Sequence, residues 1–145
     1  MPSRTARTSW TGTLMEGSGQ VEMTSSNVGT YDVNFPKRAA EDADGTTSPE
    51  ELIAAAHSSC YAMSLTAAIS RAGGTPHALD VTAVVTVGRD EGGLRISKSA
   101  LTVRAEVDGL DADAFAKVAQ EAKVSCPVSR ALSDLEITLD AALES

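Results

Sequence analysis

Chemistry in this sequence could start from Cys60 and Cys126, from His57 and His77, and from the charged residues Arg38 and Glu50. A thiol attacks as its thiolate, which needs nearby positive charge or the free amides of a helix terminus. Within one helical turn of Cys60 the only basic group is His57, at i−3. Its cation must come from elsewhere, and Arg38, in an irregular stretch ahead of the helix, is the candidate. By position alone Cys60 also reads as a small core hydrophobe, since free cysteine is among the most buried residue types. Cys126 precedes Pro127. Proline at the first helical position puts Cys126 at or next to an N-cap, where free N–H groups and the helix dipole favour a thiolate. A cysteine merely tolerated in a turn is an equal alternative.

Glu50 lies ten positions before Cys60. On one straight helix that is about 15 Å, so Glu50 could approach Cys60 only in a second chain packed antiparallel. Otherwise a glutamate at N2 is ordinary dipole compensation. His57 reads first as a hydrogen-bonded core histidine, and His77, after Pro76, as a solvated loop residue. Ser58 and Ser59 are expected to bond back to helix carbonyls. The cysteines are 66 residues apart, with no C-x-x-C and no H-x-x-x-H, so no metal site is expected. G-x-S-x-G and glycine-rich phosphate cradles are absent. A cysteine hydrolase would need a base beside its nucleophile, and His57 is poorly oriented for that on the same helix.

The elements that must position these residues are legible in part. Ala6 to Leu14, Gln20 to Ser25 and Thr30 to Phe35 read as strands, separated by Gly and Asn turns. Residues 36–47 have no apolar period and read as a loop. Ser48-Pro49-Glu50-Glu51 is a helix start with Ser48 as N-cap, Pro49 at N1 and Glu51 completing a capping box. That helix should run to about Ala72 and stop at Gly73-Gly74. It is apolar almost all round, which implies burial on all sides, in part against a second subunit. Val81 to Val87 and Leu94 to Val107 alternate as two long strands, and a phase slip between Ile96 and Leu101 implies a bulge. Asp111 caps a helix with Phe115, Val118, Ala119 and Ala122 inward. A short helix follows from about Cys126-Pro127 to Ser133, and Leu135 to Leu143 is a last strand. The order βββ–α–ββ–α–α–β describes a single α+β domain spanning residues 1–145.

Bulk properties narrow the classes. The net charge of −8 and the lack of a Lys/Arg stripe argue against nucleic acid and anionic membranes. Wholly apolar stretches last only a few residues, so no membrane span is expected. No secretory signal is read at the N-terminus, and the expected location is the cytoplasm. There, reducing buffers keep thiols open, so a cysteine pair is more often catalytic than a staple. Aromatics are only 3% of the chain, leaving small aliphatics to fill the core.

The stretch Ser48-Pro49-Glu50-Glu51-Leu52-Ile53-Ala54-Ala55-Ala56-His57-Ser58-Ser59-Cys60-Tyr61-Ala62-Met63 resembles the signature of the OsmC/Ohr family, and Val124-Ser125-Cys126-Pro127-Val128-Ser129 resembles its second cysteine motif. The likeness spans essentially the whole chain. It implies an intertwined homodimer, its central helices buried and flanked by antiparallel sheets. It implies a thiol-dependent peroxidase acting on organic hydroperoxides, and more weakly on hydrogen peroxide, in defence against oxidative and osmotic stress. Cys60 would be the peroxidatic and Cys126 the resolving cysteine, joined in a disulfide during turnover. Arg38 would stabilise the thiolate, oriented by Glu50. The position of Arg38 and the Ala55-Ala56-His57 turn resemble the OsmC branch. An apolar setting made by Met63, Leu65 and Phe35 would suit an alkyl peroxide. The resemblance implies no cofactor, and a dithiol reductant, lipoyl in one branch, to reopen the disulfide. The alternative is a stress-induced binding or structural protein of the same fold with little turnover.

Overall fold

The computed structural model describes residues 1–144. Contacts divide them into two compact units, one ending at Pro49 and one beginning at Glu50. In the first, β1 (Arg7–Thr11), β2 (Ser18–Glu22) and β3 (Thr30–Val33) form an antiparallel meander in that order. Gly19 sits where β1 comes close: a Cβ there would stand 2.6 Å from the Ser9 carbonyl oxygen. Part of the expected loop is helical. Phe35–Arg38 forms one turn, α1, because the Asn34 side chain accepts from the Lys37 amide at 2.8 Å and Pro36 fixes its φ in the helical range. Arg38 closes that turn. Lys37 Nζ then pairs with Asp44 Oδ2 at 2.6 Å, and Thr47 bridges back to Val33.

The second unit is built on α2 (Pro49–Arg71), β4 (Thr75–Asp90), β5 (Gly93–Asp108), α3 (Ala112–Ser125), α4 (Pro127–Ala131) and β6 (Glu136–Leu143). The expected element order is therefore found. α2 ends where expected. Gly73, at φ +90, lets the Gly74 amide reach the Ile69 carbonyl at 3.0 Å, a Schellman closure. β4 and β5 are an antiparallel hairpin, and the bulge falls in the expected stretch, where Thr86 pairs Lys98 but Val87 pairs Ile96. His77 lies on β4 rather than in a loop, and its Nε2 is 2.8 Å from Asp108 Oδ2 on β5. β6 runs parallel to β5, with Leu101 opposite Leu139. This sheet is thus mixed rather than wholly antiparallel, since α3 and α4 carry the chain back to the starting edge before β6 begins.

One side of β5 makes the centre of the core. Ser99, Leu101, Val103 and Ala105 alternate inward, and Thr102 and Glu106 face out. Against them pack Tyr61, Leu65 and Ile69 of α2, with Phe115, Val118, Ala119 and Ala122 of α3, the four residues expected to face in. Asp111 caps α3 through the Ala114 amide at 2.8 Å. Within one chain α2 is covered on one face only. His57, Tyr61, Leu65, Ala68 and Ile69 line its covered face, whereas Ala55, Ala56, Ser59, Thr66 and Ala67 are exposed and Met63 is 73% exposed. α2 contains an 18-residue stretch long and apolar enough to cross a membrane by length and composition, a test that a core helix also passes. The short apolar runs do not show this, because the intervening serines scarcely lower the average.

Tyr61 pins α2 to α3 through its hydroxyl, which donates to the Ala119 carbonyl at 2.9 Å in a fully buried position. Tyr61→Phe should therefore cost roughly 1–3 kcal/mol in urea unfolding, with an unchanged slope against denaturant. An unchanged midpoint would show that the bond contributes nothing net.

Candidate active site

Cys60 and Cys126 meet in the second unit. Cys60 is on α2, partly exposed at the edge of the core. Cys126 is the hinge between α3 and α4. Proline at 127 disfavours helical geometry at the residue before it, and Cys126 sits at φ −54, ψ 124. It closes α3, its amide donating to Ala122 at 2.9 Å, and opens α4. This break turns its side chain into the core, where Cys126 has 0% exposure. The two sulfurs are 3.3 Å apart as free thiols.

Their electrostatics differ. Burial pushes the Cys60 thiol up, the Val128 amide eases it down, and the adjacent Cys126 pushes it up again; the Ser64 hydroxyl lowers it, and the net direction is upward. Burial opposes ionisation of Cys126 too. The Ser129 amide, the Cys60 thiol, the Ser129 hydroxyl and the Val128 amide together outweigh it, and Cys126 lies below the ordinary thiol value. The Val128 amide thus serves both sulfurs. Cys126 is the easier thiol to ionise locally, but Cys60 is the one with a surface to present.

His57 has 0% exposure, and burial pushes it below its ordinary value, toward the neutral ring. Its Nδ1 is 2.6 Å from Ser99 Oγ on β5, and its Nε2 is 2.8 Å from Ser129 Oγ on α4. The expected core histidine is what is found. Both ring nitrogens are engaged by hydroxyls, which removes His57 as a base for Cys60 and with it the hydrolase reading. Ser58 and Ser59 bond back to Ala55 and Ala56 at 3.3 and 3.1 Å, as expected. Sequence reasoning missed Ser64, Ser99 and Ser129. A signal existed for Ser99, a polar residue in phase with Leu101, Val103 and Ala105, and for Ser129, three residues after Cys126.

The remaining expected site residues are divided between the two units. Arg38 belongs to the first unit. Glu50 is 8% exposed, ten positions from Cys60 along α2. Leu65 lies in the same core cluster as Cys126, against which Cys60 packs, whereas Met63 is on the exposed face. A groove of about 550 Å³ runs between Met63, Thr66 and Ser70 of α2 and Pro76 to Leu79 of β4. Among the described residues no cluster of His, Cys, Asp and Glu could hold a metal ion.

The coupling of the thiols is measurable by thiolate absorbance against pH. Cys126→Ala removes two influences that raise Cys60, so the Cys60 titration should move down. Cys60→Ala removes a partner that lowers Cys126, so that titration should move up. Two independent, unmoved curves would mean that the sulfurs do not interact.

Comparisons with known proteins place the family and the fold. Residues 41–140 match the family model described as OsmC-like protein. The chain is 39% identical over 136 residues to peroxiredoxin OsmC of Escherichia coli, covering 94% of this chain and 93% of that protein. Among solved structures, an organic hydroperoxide resistance protein from Elizabethkingia anophelis superposes with TM-score 0.77 at 26% identity, covering 99% of each chain. OhrB of Bacillus subtilis, at 24% identity and TM-score 0.70 over 97% of this chain and 98% of its own, shares the fold. With both cysteine motifs inside a whole-length likeness, this chain belongs to the OsmC-like family.

Proposed function

We propose that this chain reduces organic hydroperoxides at Cys60 and passes the oxidation to Cys126 as an intrachain disulfide. The general class, a peroxidase in stress defence, rests on the 39% identical peroxiredoxin and the hydroperoxide-resistance relative. The finer mechanism rests on one observation: two free sulfurs 3.3 Å apart, one partly exposed and one fully buried. A buried thiol cannot meet peroxide, so Cys60 attacks. Its thiolate takes the distal peroxide oxygen, the O–O bond breaks, and the alkoxide leaves as the alcohol after taking a proton. Cys60 becomes a sulfenic acid. Cys126 then attacks that sulfur; the S–S bond forms and hydroxide leaves as water. A dithiol of lipoyl type reopens the disulfide in the cytoplasm.

Attack requires Cys60 to ionise, although burial and its sulfur neighbour both resist this. A cation must offset them, and we assign that role to Arg38 from the family resemblance, with Glu50 orienting the guanidinium. Glu50 is about 15 Å along α2 from Cys60 of its own chain, so the carboxylate serving each Cys60 comes from a second copy. The exposed small-residue face of α2 supports that dimer, since it allows a second helix to approach closely. The half-exposed sulfur beside an apolar core favours alkyl hydroperoxides over hydrogen peroxide.

One equivalent of cumene hydroperoxide should lower the intact mass by about 2 Da, reporting closure. Cys60→Ser should abolish peroxide consumption, and Cys126→Ser should leave a sulfenic acid that dimedone traps. Arg38→Ala should slow the first step at neutral pH about tenfold or more. An unchanged mass would instead support a binding protein with little turnover.

A further inference from the structure

The buried chain Ser99–His57–Ser129 lies outside the peroxide chemistry described above, yet it ends one helical turn from the resolving cysteine. Ser99 Oγ is 2.6 Å from His57 Nδ1, and Ser129 Oγ is 2.8 Å from His57 Nε2. Ser129 is the third residue of α4, the helix that Cys126 opens, and its hydroxyl acts to lower the Cys126 thiol. All three residues are buried, with exposures of 0%, 0% and 5%. They come from three separate elements, β5, α2 and α4. A buried polar chain of this kind has a fixed supply of protons. A neutral imidazole donates from one nitrogen and accepts at the other, and each hydroxyl has one proton to give.

Two arrangements satisfy these contacts. With the proton on Nδ1, His57 donates to Ser99 and accepts the Ser129 proton at Nε2. Ser129 then has nothing to donate to sulfur. With the proton on Nε2, His57 donates to Ser129 Oγ and accepts from Ser99, leaving the Ser129 proton free for Cys126. Only the second arrangement supports a thiolate at Cys126. We propose that His57, held as its Nε2–H tautomer by Ser99, is a positioning residue that turns the Ser129 hydroxyl toward Cys126 and so tunes disulfide closure. This rests on Cys126 being the resolving cysteine. Ser129 would donate to the reacting sulfur, and His57 would act only through Ser129.

Long-range proton–nitrogen NMR of the reduced, full-length protein reads the tautomer directly. The expected result is His57 protonated on Nε2; protonation on Nδ1 would overturn the proposal. Single-turnover kinetics then separate the two steps, sulfenic acid formation and disulfide closure. Ser129→Ala and His57→Leu should each lower the ratio of closure to oxidation rate about tenfold. His57→Gln, which keeps an N–H near the Nε2 position, should return the ratio to within about threefold of the native value. Leu and Gln variants that behave alike, or a uniform slowing of both steps, would reduce His57 to a packing residue and overturn it. Ser129→Ala removes a single oxygen and keeps the test decisive where His57→Leu fails to fold. If the native protein never closes the disulfide, the functional reading falls and this inference with it; closure indifferent to Ser129 and His57 refutes this inference alone.

Discussion

Two sulfurs from opposite ends of the second unit touch because a proline interrupts a helix beneath the central one. Cys60 is fixed on α2 by the packing of Tyr61, Leu65 and Ile69 against β5 and α3. Cys126 is aimed at it by the break that Pro127 forces between α3 and α4. At 3.3 Å the thiols are already in contact, so bond formation requires the sulfurs to close by only about 1.3 Å, a side-chain adjustment rather than a refolding. The surrounding structure serves that approach. β5 supplies the floor, α3 the wall, and Tyr61 the hydrogen bond that locks α2 to α3.

Contact between the sulfurs carries an electrostatic cost that divides their roles. Two thiolates cannot coexist at this separation in a core, so ionising one raises the other. The amides at the start of α4 favour Cys126 locally, whereas exposure favours Cys60 for meeting a substrate. In the proposed mechanism, a guanidinium supplied to Cys60 would reverse the local order during attack. A sulfenic acid at Cys60 would bear no charge, and Cys126 would then regain its anionic preference at the moment the proposed mechanism needs it as nucleophile. The same pair of groups can therefore serve two consecutive steps without rearrangement.

Much of this was legible in the sequence. The capping residue Asp111, the inward set Phe115, Val118, Ala119 and Ala122, the Ile96–Leu101 bulge and the Cys-Pro helix start are local signals, and local physics decided them. Less legible were features set by distant partners. The alternation of β6 gave no strand direction; the crossover through α3 and α4 set it parallel to β5. Asn34 could be read as a cap only once the turn at Phe35–Arg38 existed. The apolar circumference of α2 suggested burial throughout, but this chain covers only the His57–Ile69 side. Ser99 and Ser129 became site residues through one histidine that contacts both across sequence separations of 42 and 72 positions.

The central claim is that contact between the sulfurs makes closure faster than any competing fate of oxidised Cys60. Peptide mapping after a tenfold excess of alkyl hydroperoxide, without reductant, tests it most directly. The account predicts one Cys60–Cys126 cross-link within each chain and little further oxidation. Sulfinic acid accumulating at Cys60 beside an unmodified Cys126, or Cys60 joined to Cys60 of another chain, would contradict it.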